Sequence, residues 1–376
     1  AWPHLYNGLF PGDGPSAQAL DAVIRIGMLF FLFAAGLEVK VSQVRERSRS
    51  VVFVSLLGFL FPFGLGFGSV LLFEDLWGYS AQGGILTIAL FVGTALSISA
   101  LPVITRILMD LGLLHSEMGV TVMASATIND LLGWSLFAVV LGSLSSPLLG
   151  QGIVSSLAGI FLYSLLVLLL GRWVGQPLLC WARKTLVWPG GFLGVTAVLI
   201  LIAAATAEAL QIHAVFGAFL AGVSLNRVFD GDEIAQAKEI IHQFAISFFA
   251  PLYFVSIGLK ANFAADFDIP LVFTVVGLAV AGKVGGASLG AWLSGIAYRD
   301  AVGIGFAMNA RGAMEMILAS VALEHGLIDE RVFVALVTMA LATSLLSGPV
   351  LKKLWDAPRQ LERGRLSRKR RGHPAI

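Results

Sequence analysis

Four charged side chains fall deep inside long apolar stretches of this sequence: Asp130, Lys283, Arg311 and Glu315. A charge at the centre of a bilayer costs at least about 2.5–3.5 kcal/mol on insertion scales, so ionisable residues there are candidates for function. A buried carboxylate can hold either a proton or a metal cation, and competition for one group couples two fluxes in the simplest way. We predict that Asp130 is this group and that it binds an alkali cation and H⁺ in turn.

The residues around Asp130 can support such a site. Asn129 directly precedes it. Lys283 can be a counter-ion of Asp130, a hydrogen-bond partner of Asn129 or a second proton carrier, because buried lysines change their protonation readily. A purely structural pairing of Asp130 with Lys283 stays open as the alternative.

Arg311 and Glu315 are four residues apart, so on a helix they can pair with each other. Asn309 lies just before them in the segment GIGFAMNARGAMEM. We interpret the three residues as a structural or gating group that holds unwound backbone, rather than as direct ligands of the cation.

Three hydroxyl side chains, those of Thr94, Ser97 and Ser99, lie in the segment GTALSISALP. Alkali cations are bound by oxygens, and these hydroxyls with the carbonyls around them can complete a cation site at Asp130. Single hydroxyls in membrane helices also often bond back to their own backbone, which leaves a structural reading open.

The composition indicates what must position these residues. Of 376 residues, 57% are hydrophobic and only 13% are charged, and the mean hydropathy is +0.86. Soluble domains usually carry about 25% charged residues, so we predict an all-α polytopic membrane protein. Crossing the hydrocarbon needs about 20 helical residues. By that measure the predicted spans are 22–38, 50–72, 84–109, 116–143, 152–180, 192–210, 213–227, 240–258, 270–296, 299–323 and 331–354.

The placement of charge tests this count. If the loop 40–49 is cytoplasmic, alternation puts most loop Lys and Arg residues and the basic run 368–371 on that side, whereas the opposite loops are mainly acidic. This agrees with the positive-inside rule. We predict an integral protein of a bacterial inner membrane with a cytoplasmic C-terminus, whose basic residues meet lipid and not nucleic acid.

Two predicted spans are interrupted at equivalent places. Span 84–109 has small hydroxylated residues before Pro102, and span 299–323 has three glycines around Asn309 and Arg311. Each is the middle member of a three-span group, and the two groups start from opposite sides of the membrane. Broken helices in inverted repeats favour a secondary transporter, because unwound backbone is tolerated at membrane depth only around a cavity or inside protein.

Missing motifs disfavour other functions. The sequence has no Walker A motif, no HExxH or Cys/His cluster, no TVGYG filter and no GxSxG motif. Its one cysteine, Cys180, cannot form an intrachain disulfide. We therefore predict that the protein is not an enzyme and uses no cofactor.

Several segments together resemble the monovalent cation:proton antiporter-2 family, which includes Kef-type, NapA-type and plant cation/proton exchangers. The resemblance covers nearly all of residues 22–354. Its landmarks, in order, are FLFAAGLEVK, LSISALPVITRIL, LGLLHSEMG, SATINDLLGW, EALQIHAVFGAFLAGV, FFAPLYFVSIGLK, the segment around Lys283 and GFAMNARGAMEMIL.

The resemblance implies an NhaA-like antiporter fold with inverted three-helix repeats and two crossing broken helices, in homodimers with elevator-like alternating access. The family's cation-binding aspartate falls on Asp130 and its core lysine on Lys283. Electrogenic members have a second acid where this chain has Asn129. Relative to the family, we expect a further helix before Ala1. The family's cytoplasmic nucleotide-binding regulatory domain does not follow Leu354 in this sequence, which disfavours a Kef-type ligand-gated reading unless the chain is a fragment.

The resemblance also gives a division of the chain. Residues 230–246 mix charged and apolar side chains and are interpreted as a linker helix at the cytoplasmic face, with an ordinary loop as the alternative. The predicted parts are an N-terminal segment with a dimerisation helix (1–49), the first core repeat (50–145), the linker and dimerisation helices (146–268), the second core repeat (269–354) and a basic cytoplasmic tail (355–376).

With Asn129 in place of an acid, we predict electroneutral exchange of one cation for one proton, unless Lys283 also loses a proton in each cycle. The sequence does not separate Na⁺ from K⁺, because hydroxyls and carbonyls suit both. Two alternatives remain: a Kef-like gated potassium channel or uniporter, and a membrane sensor subunit whose transport is vestigial.

Overall fold

A computed structural model describes the chain in seven segments: 15–38, 48–78, 84–114, 116–145, 152–210, 212–229 and 234–371. The secondary structure within these segments is helical, with no strand. Nine helical stretches within these segments are long and apolar enough to cross a membrane, and they match the predicted spans other than 213–227 and 299–323; 214–229 is a shorter apolar helix. The predicted class, an all-α polytopic membrane protein, is confirmed.

Helices occupy all eleven predicted positions. In chain order they are α1 (Pro15–Leu37), α2 (Ser48–Leu72), the short α3 (Glu74–Trp77), α4 (Gly84–Ser97), α5 (Leu101–Asp110), α6 (Glu117–Ser145), α7 (Gly152–Leu170), α8 (Gln176–Thr185), α9 (Gly190–Ala209), α10 (Ala214–Phe229), α11 (Ala235–Phe244), α12 (Ala250–Lys260), α13 (Ile269–Leu293), α14 (Tyr298–Met308), α15 (Ala313–Glu324) and α16 (Glu330–Arg371).

The described part of the predicted linker is helical. Residues 235–244 are helical, but a π-helical turn at Ala245–Phe249 joins α11 directly to α12. The expected linker and the span after it are therefore one helical run. Pro251 directly follows the π-helical turn, where the regular hydrogen bonds of the α-helix are already interrupted, so it does not end the run. Residues 230–233 of the predicted linker lie outside the described segments.

The chain divides into two compact units. Unit 1 comprises Ala1–Lys40 and Ala138–Ala261, and unit 2 comprises Val41–Phe137 and Asn262–Ile376. Both predicted three-span groups lie in unit 2, apart from the end of α6. The assignment of transport and dimerisation roles to such units stays a prediction.

The two interrupted spans are broken in the structure. The first run stops at Ser97 and resumes at Leu101, where Pro102 lies in the first turn of α5. The second stops at Met308 and resumes at Ala313. Both breaks were predicted from small residues and proline, which weaken or remove helical hydrogen bonds.

In unit 2, α2 and α13 pack with almost no side chain between them. A Cβ added at Gly286 would lie 2.3 Å from the Leu57 carbonyl oxygen, and one at Gly290 would lie 2.4 Å from that of Phe53. Small residues let membrane helices approach closely, so that van der Waals contact holds them. This close pair gives a rigid base to Lys283, which α13 carries.

Candidate functional site: a buried charge cluster at two helix breaks

The two helix breaks of unit 2 are joined to each other. The backbone N–H of Ala100 donates to the Ala310 carbonyl at 3.0 Å, and Ser99 Oγ donates to the Met308 carbonyl at 2.8 Å. Both bonds use backbone groups that a continuous helix would have satisfied internally. Each break therefore supplies partners for the other.

Arg311 closes the end of α4. Its side chain is wholly buried. Nη1 donates to the Ala95 carbonyl at 2.8 Å, and Nη2 donates to the Leu96 carbonyl. A guanidinium on the last carbonyls of a helix satisfies orphan acceptors and meets the negative end of the helix dipole.

Glu315 balances this arginine. Its Oε1 lies 3.7 Å from Arg311 Nη1, and its Oε2 accepts a hydrogen bond of 2.9 Å from the backbone N–H of Gly312. Ser344 Oγ donates to the Arg311 carbonyl. The predicted pairing of Arg311 with Glu315 is present in the structure, and the pair lies at the start of α15, where Glu315 caps the helix.

Lys283 reaches the other freed carbonyl. Its side chain is wholly buried, and Nζ donates to the Ser97 carbonyl. The Asn129 amide fits between two neighbours when its oxygen accepts from Lys283 Nζ at 3.0 Å and its nitrogen donates to the Ser55 carbonyl at 3.0 Å. Asn129 thereby ties α2 and α13 to α6. Of the three roles predicted for Lys283, the hydrogen bond to Asn129 is present in the structure.

Asp130 lies beside both breaks. Its side chain is only 1% exposed. One turn earlier on α6, Ala126 packs in the same cluster as Met308 and Ala310 of the second break. Three residues later, a Cβ on Gly133 would lie 2.3 Å from Ile98 Cγ1 of the first break. Residues three and four apart share a helix face, so the face that carries Asp130 is the face toward the breaks.

The three hydroxyls predicted as cation ligands lie close to the breaks, and each donates its proton to a backbone carbonyl. Thr94 Oγ1 donates to the Leu90 carbonyl at 2.7 Å. Ser97 Oγ can donate to the carbonyl of Gly93 at 2.7 Å or that of Phe59 at 3.0 Å. Ser99 Oγ donates to the Met308 carbonyl at the second break. A hydroxyl that donates its one proton keeps lone pairs, so these oxygens can still serve a cation. All three side chains are wholly buried.

Sequence reasoning found the charges but missed two serines. Ser55 offers its carbonyl to Asn129, and Ser344 fixes the carbonyl of Arg311. Neither has a local sequence signal, because Ser55 contributes a backbone carbonyl, which any residue has, and Ser344 follows Thr343 in an otherwise apolar stretch. Asn309 is placed at the second break as predicted, with a wholly buried side chain.

The buried charges of the cluster interact with each other. The charged groups that act on Lys283 are Arg311, Asp130 and Glu315. Two acids and two bases balance when all four are ionised. In an interior of low dielectric, any added charge is costly unless another charge leaves. The arrangement can therefore couple the arrival of a cation to the loss of a proton.

Comparisons with known proteins agree with this chemistry. The family model described as "Sodium/hydrogen exchanger, transmembrane" matches residues 7–357. Cation/H(+) antiporter 18 of Arabidopsis thaliana is 31% identical over 95% of this chain and 44% of its own length. Na(+)/H(+) antiporter NhaS4 of Synechocystis sp. is 28% identical over 95% of this chain and 86% of its own length.

The chain spans less than half the length of the plant relatives it matches. K(+)/H(+) antiporter 1 of Saccharomyces cerevisiae is 27% identical over 94% of this chain and 41% of its own length. Among solved structures, the sodium proton antiporter MjNhaP1 from Methanocaldococcus jannaschii has a TM-score of 0.57 at 15% identity, covering 91% of this chain and 88% of that one. This similarity confirms the predicted fold.

Proposed function

Because this chain belongs to the transmembrane sodium/hydrogen exchanger family, we propose that it is a secondary transporter that exchanges Na⁺ or K⁺ for H⁺ across a membrane. The names of its relatives include sodium for one and potassium for another, each in exchange for H⁺. The observation that carries the proposal is the set of four buried, mutually balancing charges around Asp130.

The charge balance gives the coupling. When Asp130, Glu315, Lys283 and Arg311 are all ionised, the cluster is neutral. A monovalent cation that binds at Asp130 adds one positive charge to a dry interior, which is strongly unfavourable. If Asp130 is protonated before the cation arrives, its carboxyl proton leaves as the cation binds and the charge of the cluster does not change; if Asp130 is already ionised, loss of one proton from Lys283 restores the balance. The site therefore favours either the cation or the proton, and not both.

The ligands proposed for the cation depend on which backbone carbonyl oxygens already accept hydrogen bonds from Arg311 and Lys283. Arg311 and Lys283 hold the Ala95, Leu96 and Ser97 carbonyls. A cation at Asp130 competes for the Ser97 carbonyl by displacing the Lys283 ammonium. We assign the remaining ligands to the Asn129 amide oxygen and to the hydroxyls of Thr94, Ser97 and Ser99, which keep their lone pairs.

Transport requires that the site face each side of the membrane in turn. Bonds across the two breaks and the close α2–α13 contact support movement of the whole cluster as one body, as in an elevator. Helix packing without intervening side chains transmits a displacement instead of absorbing it. Unit 1 is then free for a dimerisation role, and the proposed assembly is a homodimer surrounded by lipid.

The charge pattern supports an orientation for this integral membrane protein. Loop residues rich in Lys and Arg fall on one side and acidic loops on the other. By the positive-inside rule, the C-terminus is then cytoplasmic in a bacterial inner membrane.

One carboxylate that exchanges one cation for one proton moves no net charge, so we propose electroneutral exchange. Moving one unbalanced charge across 100 mV is worth about 2.3 kcal/mol, which would change the rate strongly. In proteoliposomes with the potential clamped at zero and then stepped, the initial rate should stay constant. A rate that follows the step would mean that Lys283 also delivers a proton in each cycle.

The decisive experiment substitutes the carboxylate. Asp130→Asn removes both cation binding and proton binding at one oxygen, and we expect no exchange above empty liposomes with Li⁺, Na⁺, K⁺ or Rb⁺ in a dequenching assay. Asp110→Asn is the matched control, because that aspartate is 61% exposed in a surface pair with Arg106. It should keep wild-type exchange. Normal exchange by Asp130→Asn would reject the proposal.

The same assay separates the alternatives. A gated potassium channel or uniporter would give cation flux in wild type without proton flux. A vestigial sensor would give no flux in wild type, and its biological activity would survive Asp130→Asn.

A further inference from the structure

Unit 1 contains a groove that none of the charged residues of unit 2 lines. It lies between α7 and α8 on one side and α9 on the other, with α10 as its floor, and its volume is about 570 Å³. Every residue that lines it belongs to unit 1. Pockets that enclose small ligands have volumes of about 300–1,000 Å³. This α7–α9 groove is therefore large enough to bind a ligand.

The groove forms where a π-helical turn packs directly against α10. This turn, Gly171–Gly175, joins α7 to α8. A Cβ on Gly171 would lie 2.1 Å from Ser224 Oγ, and one on Gly175 would lie 2.8 Å from Leu225 Cδ2. Small residues let membrane helices approach closely, so the turn lies deep while larger side chains of α7 and α9 form the walls. Turns of this kind occur frequently at functional sites.

The walls and the floor of the groove are mainly hydrocarbon. The side chains of Leu170, Val174 and Ile202 are about half exposed at its rim, whereas Ala221 and Leu225 are buried at its floor. Contiguous exposed apolar surface that encloses a concave space is typical of a ligand-binding groove or an interaction site. The occupant must therefore be apolar along most of its length.

The groove also contains three hydroxyl groups, and each already has an acceptor. Tyr163 Oη donates to the Ala203 carbonyl at 2.6 Å, and the Oγ1 of Thr206 and the Oγ of Ser224 donate to carbonyls of their own helices. A hydroxyl has one proton to donate, so the lining residues keep no hydroxyl donor for a polar ligand. Buried waters typically make about three hydrogen bonds. The lining therefore favours a hydrocarbon chain over water or a polar ligand.

The groove lies at membrane depth and has the length of one acyl chain. The run Ala158–Thr185 and α9 are long and apolar enough to cross a membrane. The groove follows the first from Tyr163 to Leu178 and the second from Leu199 to Ala209, which are rises of about 22 Å and about 15 Å. The hydrocarbon of one leaflet is about 15 Å thick, half of a core of about 30 Å. An acyl chain parallel to these helices therefore fits the groove.

The groove face of α8 continues to a cation. Residues three apart share a helix face, so the face of Leu178 continues through Trp181 to Lys184 in the last turn of α8. Both Trp181 and Lys184 are exposed, and Lys184 makes no hydrogen bond or ion pair with the described residues. Tryptophan is enriched where membrane meets water, and lysine binds phosphate as a point charge. This order of apolar surface, tryptophan and lysine complements a phospholipid, whose acyl chains lead to a phosphate.

We propose that the α7–α9 groove binds one membrane phospholipid, with an acyl chain along the groove and its phosphate at Lys184, beside Trp181. The positive-inside pattern puts Lys184 on the cytoplasmic side, so the lipid belongs to the inner leaflet. The acyl chain covers the apolar walls, and the phosphate neutralises an exposed cation. This binding is independent of cation exchange, so Asp130→Asn should keep the lipid even though exchange is lost.

Native mass spectrometry of the purified protein tests whether the groove is occupied. Wild type should keep one phospholipid per chain after the detergent is removed. Ala203→Leu places a larger side chain in the groove, which Ala203 lines, and should lower the lipid-bound fraction severalfold. Ala205→Leu is the matched control, because Ala205 is exposed on the same helix and does not line the groove. Wild type without bound phospholipid, or equal lipid-bound fractions in the two variants, would overturn the proposal.

Lys184→Gln tests the phosphate contact without changing the groove, and its exposed position keeps folding unaffected. Dioleoylphosphatidylglycerol and dioleoylglycerol have the same chains, but only the first has a phosphate. One basic residue near an anionic headgroup is worth about fivefold in binding, so wild type should prefer the phospholipid by about that factor. Lys184→Gln should lose the preference and still bind dioleoylglycerol. Lys352→Gln, which changes an exposed lysine of unit 2, should keep it. A preference that survives Lys184→Gln would overturn the phosphate assignment.

Photo-crosslinking identifies the occupant in the membrane itself. Ile202→benzoylphenylalanine puts a photoreactive group at the rim of the groove, and membranes are irradiated before purification. The expected product has the mass of one chain and one phospholipid. A product of two chains would mean that a second copy covers the groove, and an internal crosslink would mean that another segment of the same chain does. Either of these products in place of the lipid product would overturn the proposal.

Discussion

Unit 1 and unit 2 bury different kinds of side chain. Within the described segments, the buried polar residues of unit 1 are Thr196, Ser224 and Asn226, whereas unit 2 buries Asp130, Lys283, Arg311 and Glu315 with many hydroxyls. Thr196 and Ser224 donate to carbonyls of their own helices.

The difference lies in the charge of the partners that join one helix to another. In unit 1 a neutral side chain does this, as when Tyr163 Oη donates to the Ala203 carbonyl at 2.6 Å. In unit 2 the backbone of one break is satisfied by side chains from another helix, as when Arg311 binds the end of α4. Unit 2 therefore contains the buried ionisable side chains, and the broken helix ends of unit 2 depend on the same side chains for their hydrogen bonds.

The largest expected effect on stability comes from removing the Arg311 guanidinium. Arg311→Met leaves two carbonyls of α4 and the Glu315 carboxylate without their buried partner, and breaking such a pair costs about 3–5 kcal/mol. We expect loss of folded protein in detergent by size-exclusion chromatography and thermal melting. The double variant Arg311→Met/Glu315→Leu should recover part of this loss, because it leaves no uncompensated charge.

Thr196→Val gives the matching change in unit 1. Its hydroxyl donates only within its helix, at 2.9 Å to the Phe192 carbonyl, so the cost should be about 1 kcal/mol or less. If Arg311→Met were as mild as Thr196→Val, the contrast between the two units would disappear.

Disturbing a close helix–helix contact should have an intermediate effect on stability, and the effect should be similar in both units. A Cβ at Gly286 meets the Leu57 carbonyl in unit 2, and one at Gly36 lies 2.2 Å from the Phe219 carbonyl in unit 1. Either Gly→Ala change forces backbones apart at a cost of about 1–3 kcal/mol. Thermal melting should show both losses, but Gly286→Ala should also lower exchange in the folded fraction, because α13 carries Lys283.

Gly277→Ala is the control for these changes. It lies on α13 with nothing within 4 Å of the added Cβ, so the substitution should be neutral or slightly stabilising. Equal exchange rates in the folded fractions of Gly286→Ala and Gly36→Ala would argue against the special role of the α2–α13 contact.

The helices, the breaks and the functional importance of the four charged residues could be predicted from the sequence, because each depends on local backbone preferences or on the cost of placing a group in hydrocarbon. Apolar length sets a span, glycine and proline weaken a helix, and a charge in hydrocarbon is costly wherever it lies. The contacts were harder to predict. Lys283 meets the Ser97 carbonyl across 186 residues of sequence, and Arg311 meets Ala95 across 216.

Hydroxyl roles show the same limit. Thr94 and Ser97 were predicted as ligands from their type, but the acceptor of each proton depends on packing with neighbouring turns and helices. The linker was predicted as a helix because it mixes charged and apolar residues, and 235–244 are helical; the π-helical turn that continues this helix into α12 was not predicted. A backbone turn of that kind leaves no compositional mark.

The smallest expected effect concerns the carboxylate of Glu38 in unit 1, just after α1. Burial raises its pKa above the usual 4.5, while His242 and Lys238 oppose that shift; His242 Nδ1 lies 3.7 Å from Glu38 Oε1. A carboxyl with a raised pKa adds stability that is complete below its unfolded pKa and is lost as pH rises through its folded pKa. Glu38→Gln removes this loss.

Between about pH 4.5 and pH 8, the melting temperature of wild type should therefore fall relative to that of Glu38→Gln as pH rises, by about 1–3 °C at most. Glu239→Gln, on the exposed side of α11 where it bonds to Gln243, should run parallel to wild type. Because Glu38 is remote from Asp130 in sequence and lies in the other unit, exchange by Glu38→Gln should keep the pH dependence of wild type. A changed pH profile of exchange would mean that protons in unit 1 also govern transport, and the division of labour between the units would be wrong.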